Sequence, residues 1–209
     1  MVFIHIGIKW GGIYMKLYII RHGQTDWNSK GKIQGSKDIS LNRMGLAQGY
    51  HLSDIIIENN YNISKIYCSK QKRAIETAEI LSNKLNVEHE PIDGIEEMNF
   101  GDWEGLTWEE IRNCFPKQYL MWYEHRRYTK VPRGESYEDV LKRSLIAINS
   151  IIEENEDDVA IISHGGVIKT LQCYLTNTPF NKMGNFKSDN SSILEVDSDD
   201  FKEVTELII

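Results

Sequence analysis

A chain of 209 residues, 41% of them hydrophobic, makes one domain or one domain with an inserted subdomain. At that size about 70% of the unfolded surface is buried on folding, so neither a metal nor a disulfide is needed. A net charge of −7 argues against nucleic acid as a partner, because proteins that bind it present a basic face. Cys68, Cys114 and Cys173 are odd in number, far apart and never in a C-x-x-C, which reads as reduced thiols in a cytoplasmic protein.

Taken in chain order, residues 1–14 (MVFIHIGIKWGGIY) are apolar but too short for a membrane span, and Gly11 and Gly12 break them. They lack the basic start and small-residue cleavage site of a secretory signal. They read as a non-essential extension ahead of a single domain over 15–209, with no membrane partner. Residues 16–20 (KLYII) are a predicted strand that ends in Arg21-His22-Gly23. Apolar residues at helical spacing follow over 43–58. A strand at 64–68 leads into a helix at 71–85, and a strand is expected at 87–90. Thr107-x-x-Glu110 and Ser136-x-x-Asp139 are capping boxes, the second opening an amphipathic helix over 137–153. The acidic run Glu153 to Asp158 reads as a solvated turn. A strand at 158–163 ends in Ser163-His164-Gly165-Gly166, and short strands at 191–196 and 202–207 close the chain. These last two are expected at a sheet edge, where they would support a homodimer. Alternating strands and helices imply a mostly parallel α/β sheet with its ligand outside the carboxyl ends of the strands, which is where both histidines fall.

Each candidate residue also has a plain structural reading. A histidine after an apolar strand is usually a satisfied capping residue. Arg21 beside His22 changes the balance, since its guanidinium is a bidentate fork for phosphate oxygens and a neutral imidazole is a competent nucleophile. Arg73 is a surface arginine or, at a helix start after a strand, part of an anion site; Lys70 and Lys72 are read as solvated. Glu96 and Glu97 form an exposed turn or supply a general acid. Two histidines without an H-x-x-x-H or a Cys/His cluster make no metal site, and the glycines form neither a dinucleotide fingerprint nor a P-loop, so no cofactor is expected.

Four motifs then occur in order from Lys16 to Val196: R-H-G-Q-T-x-x-N, S-x-x-x-R-A-x-x-T-A, E-x-x-x-G-x-W-E-G and S-H-G-G. With them the chain resembles the histidine phosphatase superfamily, in its phosphoglycerate-mutase-like branch. The start is unlike the R-H-G-x-R-x-P of the acid-phosphatase and phytase branch. The resemblance implies a three-layer α/β sandwich, with a mostly parallel central sheet flanked by helices and a small helical cap inserted at about 100–135. It implies that His22 becomes phosphohistidine, that Arg21, Arg73 and His164 hold the phosphoryl oxygens, and that Glu97 is the proton donor. Asn28, Gln34 and Gly35 complete the pocket, with Gly165 and Asn190 as further binding candidates.

E-M-N-F-G-D-W-E-G followed by P-x-G-E-S is most similar to alpha-ribazole phosphatases of cobalamin assembly, and the same pattern occurs in broad-specificity phosphatases. The expected partner is therefore a small phosphate monoester, hydrolysed without a metal. A phosphoglycerate mutase is the alternative with the same chemistry, and a non-catalytic phosphate-binding module is the alternative without it. Eight of the chain's 21 aromatic residues fall within residues 100–128. They would either stack on a flat base such as dimethylbenzimidazole or pack the cap's own helices.

Overall fold

The computed structural model describes residues 4–6 and 15–201. Six strands form one sheet in the order β1-β6-β2-β5-β3-β4. They are β1 (Ile4–Ile6), β2 (Lys16–Arg21), β3 (Lys65–Ser69), β4 (His89–Ile92), β5 (Val159–Ser163) and β6 (Ile193–Asp197). All neighbouring pairs are parallel except β2 with β6.

The period-two alternation of buried strands sorts their side chains onto two faces. Leu17, Ile19, Tyr67, Val159, Ile161, Leu194 and Val196 belong to one apolar cluster, with α6 (Tyr137–Glu154) and α7 (Gly165–Leu175). Tyr18, Ile20, Ile66, Cys68, Ala160, Ile162 and Ile193 belong to the other, with α2 (Arg43–Glu58) and α3 (Lys72–Leu85). The result is the three-layer sandwich expected from the sequence.

Both capping boxes form. Thr107 opens α4 (Trp108–Cys114) and Ser136 opens α6, and a third box at Thr25 and Asn28 opens the short α1 (Asp26–Ser29). Pro116 starts α5 (Pro116–Glu124), where its missing N–H costs nothing. The segment around α4 and α5 packs into the main core: Trp103, Ile111, Trp122 and Val131 join the α6 and α7 cluster.

Two sequence expectations shift. The strand expected at 87–90 begins at His89, because Val87 is used in closing α3: its N–H donates to Ser82 O and its carbonyl accepts from Ser82 Oγ. Pro91 is tolerated in β4 because that strand lies at the sheet edge. The strand near 191–196 is interior, not an edge, because β1 takes up its outer hydrogen bonds with Ile4 opposite Leu194 and Ile6 opposite Val196. The strand expected at 202–207 and most of residues 1–14 lie outside the described residues. Among the described residues no helix is long and apolar enough to cross a membrane.

Candidate active site

The strands β2, β5 and β3 lie side by side and parallel, so their carboxyl ends open at one rim. The chain leaves β2 toward α2 on one face and leaves β5 into α7 on the other, which opens a crevice between them. Arg21 is paired with Ser163 in register, and His22 N–H donates to Ser163 O at 3.0 Å. This places the rings of His22 and His164 5.1 Å apart, centroid to centroid. The glycine after His22 is obligatory for packing: a Cβ on Gly23 would stand 2.6 Å from Gly45 O.

His22 is buried, and its Nδ1 lies 2.6 Å from Gly23 O. A carbonyl only accepts, so Nδ1 carries the proton and Nε2 keeps the lone pair. Burial holds the His22 pKa well below its ordinary value, and the cations of Arg21 and Arg73 push it further down. His164 is also held well below its ordinary value, by burial first and then by Arg73 and His22. Both rings are therefore neutral at pH 7. Neither ring nitrogen of His164 finds a protein partner, and the buried Nε atoms of Arg21 and Arg73 are likewise unpartnered. Buried donors are normally satisfied, and this cluster of unsatisfied ones around a neutral imidazole has the makeup of an anion site.

Arg73 is fully buried in the first turn of α3, not on the surface. Its Nη1 donates to Lys37 O at 2.7 Å and its Nη2 to Gly35 O and Gln71 Oε1, both at 3.0 Å. Burial lowers its pKa to about 10, so the charge persists at neutral pH. Arg21 Nη1 donates to Ser188 O, and Asn190 Nδ2 donates to His22 O at 3.0 Å. The loop before β6 thus clamps the Arg21-His22 pair. Lys70 and Lys72 face solvent and pair with Asp93 and Asp38.

A cleft of about 200 Å³ opens above this floor, lined by Arg21, His22, Asn28, Gln34, Gly35, Glu97 and Gly165 among others. Thr25 Oγ1 lies 3.1 Å from Asn28 Oδ1 and 2.9 Å from Gln34 Oε1, with one proton shared between the two amide oxygens. Both amide side chains line the cleft. Glu97 and Glu96 separate clearly. Glu97 lines the cleft, with Oε2 accepting from Gly166 N at 3.1 Å and Oε1 from Met98 N at 3.0 Å. Glu96 turns back to Gly94 N and Arg143.

Several supporting residues carry no signal in the linear motifs. Gln71 joins three parts of the site: its Oε1 accepts from Arg73 and from Glu97 N, and its Nε2 donates to Gly35 O at 2.9 Å. Arg143 pairs twice with Glu135, and donates to Gly94 O at 2.8 Å and Glu97 O at 3.3 Å, which ties the Glu97 turn to α6. Lys32, Trp108, Tyr137 and Lys169 also line the cleft. Among the described residues, no group of three or more His, Cys, Asp or Glu is placed to hold a metal ion.

Two buried neutral histidines make folding acid-sensitive. The unfolded chain binds two protons near pH 6.5 that the folded chain resists, so stability is full above that pH and falls as pH drops toward the depressed native values. The slope from these two groups approaches about 2.7 kcal/mol per pH unit. Urea unfolding between pH 7 and 5.5 should show this loss, and a His22→Gln, His164→Gln double variant should lose most of the slope. An unchanged slope would remove the assignment.

The model of the histidine phosphatase superfamily (branch 1) matches residues 17–208. The chain belongs to this family. Together with its phosphatase relatives, this makes it an enzyme of the phosphoric monoester hydrolase kind. A curated relative, putative phosphoserine phosphatase 2 of Hydrogenobacter thermophilus, is 29% identical over 87% of this chain and 88% of its own. A solved structure of phosphoserine phosphatase from Entamoeba histolytica in complex with 3-phosphoglyceric acid superposes with a TM-score of 0.75. It is 30% identical, covering 87% of this chain and 89% of that one. Mycobacterial glucosyl-3-phosphoglycerate phosphatase gives a TM-score of 0.76 at 26% identity, covering 87% and 90%. Within this histidine phosphatase, the matched region spans β3 to β6 and all of β2 but Lys16.

Proposed function

We propose that this histidine phosphatase hydrolyses small phosphate monoesters through a phosphohistidine on His22, without a metal. The observation that carries the reading is the neutral His22, its Nδ1 proton committed to Gly23 O, beside the unpartnered buried donors of Arg21, Arg73 and His164. Nε2 of His22 attacks phosphorus in line as the bond to the ester oxygen breaks, and Glu97 gives that oxygen its proton. Water then attacks phosphohistidine, with Glu97 taking the proton, and inorganic phosphate leaves. The surrounding cations offset charge spread over the transferring group, which is where such a site gains most of its rate.

For the substrate, the motif pattern points to alpha-ribazole 5′-phosphate, a step of cobalamin assembly, or to a broad range of monoesters. The aromatic segment lends this partial support. Phe100 and Trp108 line the cleft and supply aromatic surface there. Trp103 and Trp122, only 0% and 1% exposed, belong to internal packing. A second reading comes from the relatives, two of which are named for phosphoserine and one for glucosyl-3-phosphoglycerate. Both are esters on a carboxylate-bearing skeleton.

The test is to incubate EDTA-treated protein with a ³²P-labelled monoester and quench rapidly. An acid-labile, base-stable phosphoenzyme that is absent from His22→Ala, with phosphate release in the wild type, is the expected result. No labelled protein and no released phosphate would defeat the reading. Rearranged ester without phosphate release would mark a mutase.

A further inference from the structure

The acceptor of the His22 Nδ1 proton is itself part of a longer hydrogen-bond chain. Gly23 O, 2.6 Å from Nδ1, belongs to the peptide that joins Gly23 to Gln24, and the N–H of that same peptide donates to Gln48 Oε1 at 2.8 Å. One amide thus receives a proton at its oxygen and offers one at its nitrogen. Hydrogen bonds in such a series polarise one another, more strongly away from water. A bond made by the N–H leaves the carbonyl oxygen more negative, and it then holds the imidazole proton more firmly.

The start of α2 brings Gln48 to this place. Asn42 caps the helix by accepting from Gly45 N at 2.9 Å. Its own N–H donates to Gln24 O at 2.9 Å, and its Nδ2 donates to Gln24 Oε1 at 3.0 Å. Gly45 lies so close to the same segment that a Cβ there would stand 2.1 Å from Gln24 O. Gln48 follows Gly45 by three residues, the spacing that returns a helix to the same face. From the other side, Thr77 Oγ1 donates to Arg73 O at 2.7 Å and accepts from Gly23 N at 3.1 Å. The two peptides that follow His22 are therefore fixed, one by α3 and the next by α2.

We infer that Gln48 is a positioning residue for the reaction, acting through the Gly23–Gln24 peptide to hold His22 in its attacking tautomer and to offset the charge the ring gains. As the Nε2 lone pair forms the bond to phosphorus, the bond from phosphorus to the ester oxygen breaks. The electron pair leaves with that oxygen, which takes its proton from Glu97. The Nδ1 proton stays on the ring, so the ring becomes cationic and its bond to Gly23 O becomes charge-assisted. That charge is absent from bound substrate, so Gln48 contributes to the rate of phosphorylation and not to the affinity for phosphate. The inference rests on the phosphohistidine reading.

Proton NMR of ¹⁵N-histidine-labelled protein follows the Nδ1 proton directly, because a short hydrogen bond places its resonance far downfield. Gln48→Met should move that resonance upfield. It should also slow single-turnover phosphorylation of His22 by about three- to tenfold, the worth of one ordinary hydrogen bond, with the dissociation constant of inorganic phosphate unchanged. Gln48→Glu keeps an oxygen acceptor at the same reach and should restore both the resonance and the rate. A resonance that stays in place in Gln48→Met would overturn the inference. So would a rate loss that is matched by weaker phosphate binding and is not restored by glutamate. A shifted resonance in a protein that neither becomes labelled nor releases phosphate would leave the hydrogen-bond chain standing and defeat the hydrolase reading.

Discussion

Replacing Glu97 by glutamine should lower kcat/KM for an alkyl phosphate by about 10²–10⁴, while p-nitrophenyl phosphate loses far less. An alkoxide leaves poorly and needs a proton delivered as its bond to phosphorus breaks, whereas p-nitrophenolate departs as a stable anion. Glu97 lies in the cleft with His22, and its carboxylate is held from two sides by the amides of Met98 and Gly166. Glutamine keeps the size and removes the transferable proton. Gly166→Ala should reproduce the pattern by displacement, since its Cβ would fall 2.2 Å from Glu97 Oε1. Steady-state rates across esters of graded leaving-group acidity check this. A uniform loss for all esters would assign Glu97 to binding rather than to proton transfer.

The second large effect is at Arg73, where catalysis and folding are joined. Arg73→Met should cost about 10²–10³ in kcat through the lost positive charge. It should also cost about 1–3 kcal/mol of stability, because Lys37 O loses its side-chain donor while Gly35 O and Gln71 Oε1 each keep one donor, from Gln71 Nε2 and Glu97 N. Arg73→Lys should rescue little, as a single ammonium cannot reproduce a planar fork that reaches three acceptors. Urea unfolding with and without inorganic phosphate tests both parts. Wild-type protein should gain stability on adding phosphate by mass action, and Arg73→Met should gain much less. Wild-type kcat in the methionine variant would sink the assignment.

The layers were legible in the linear pattern for a simple reason. Buried strands declare themselves by short apolar runs, and amphipathic helices by their spacing, so 16–20, 158–163, 43–58 and 137–153 needed no tertiary information. The position of His22 and His164 followed as well, because a chain that leaves a parallel strand exposes its next residues at the carboxyl rim. Strand limits were less legible. His89 replaced Val87 as the start of β4 because Val87 closes α3, a hydrogen-bond detail that no propensity carries.

The sequence by itself determined the alternation of elements and the four motifs, and with them the family and the group of residues around His22. These are local properties, set by neighbours along the chain. Only the tertiary structure turned Glu96 away to Gly94 and Arg143, buried Arg73 completely, brought the Ser188–Asn190 loop onto Arg21 and His22, and gave Gln71 its place between Arg73, Gly35 and Glu97. Partners such as Asn190 and His22, 168 residues apart, meet through sheet order and helix packing.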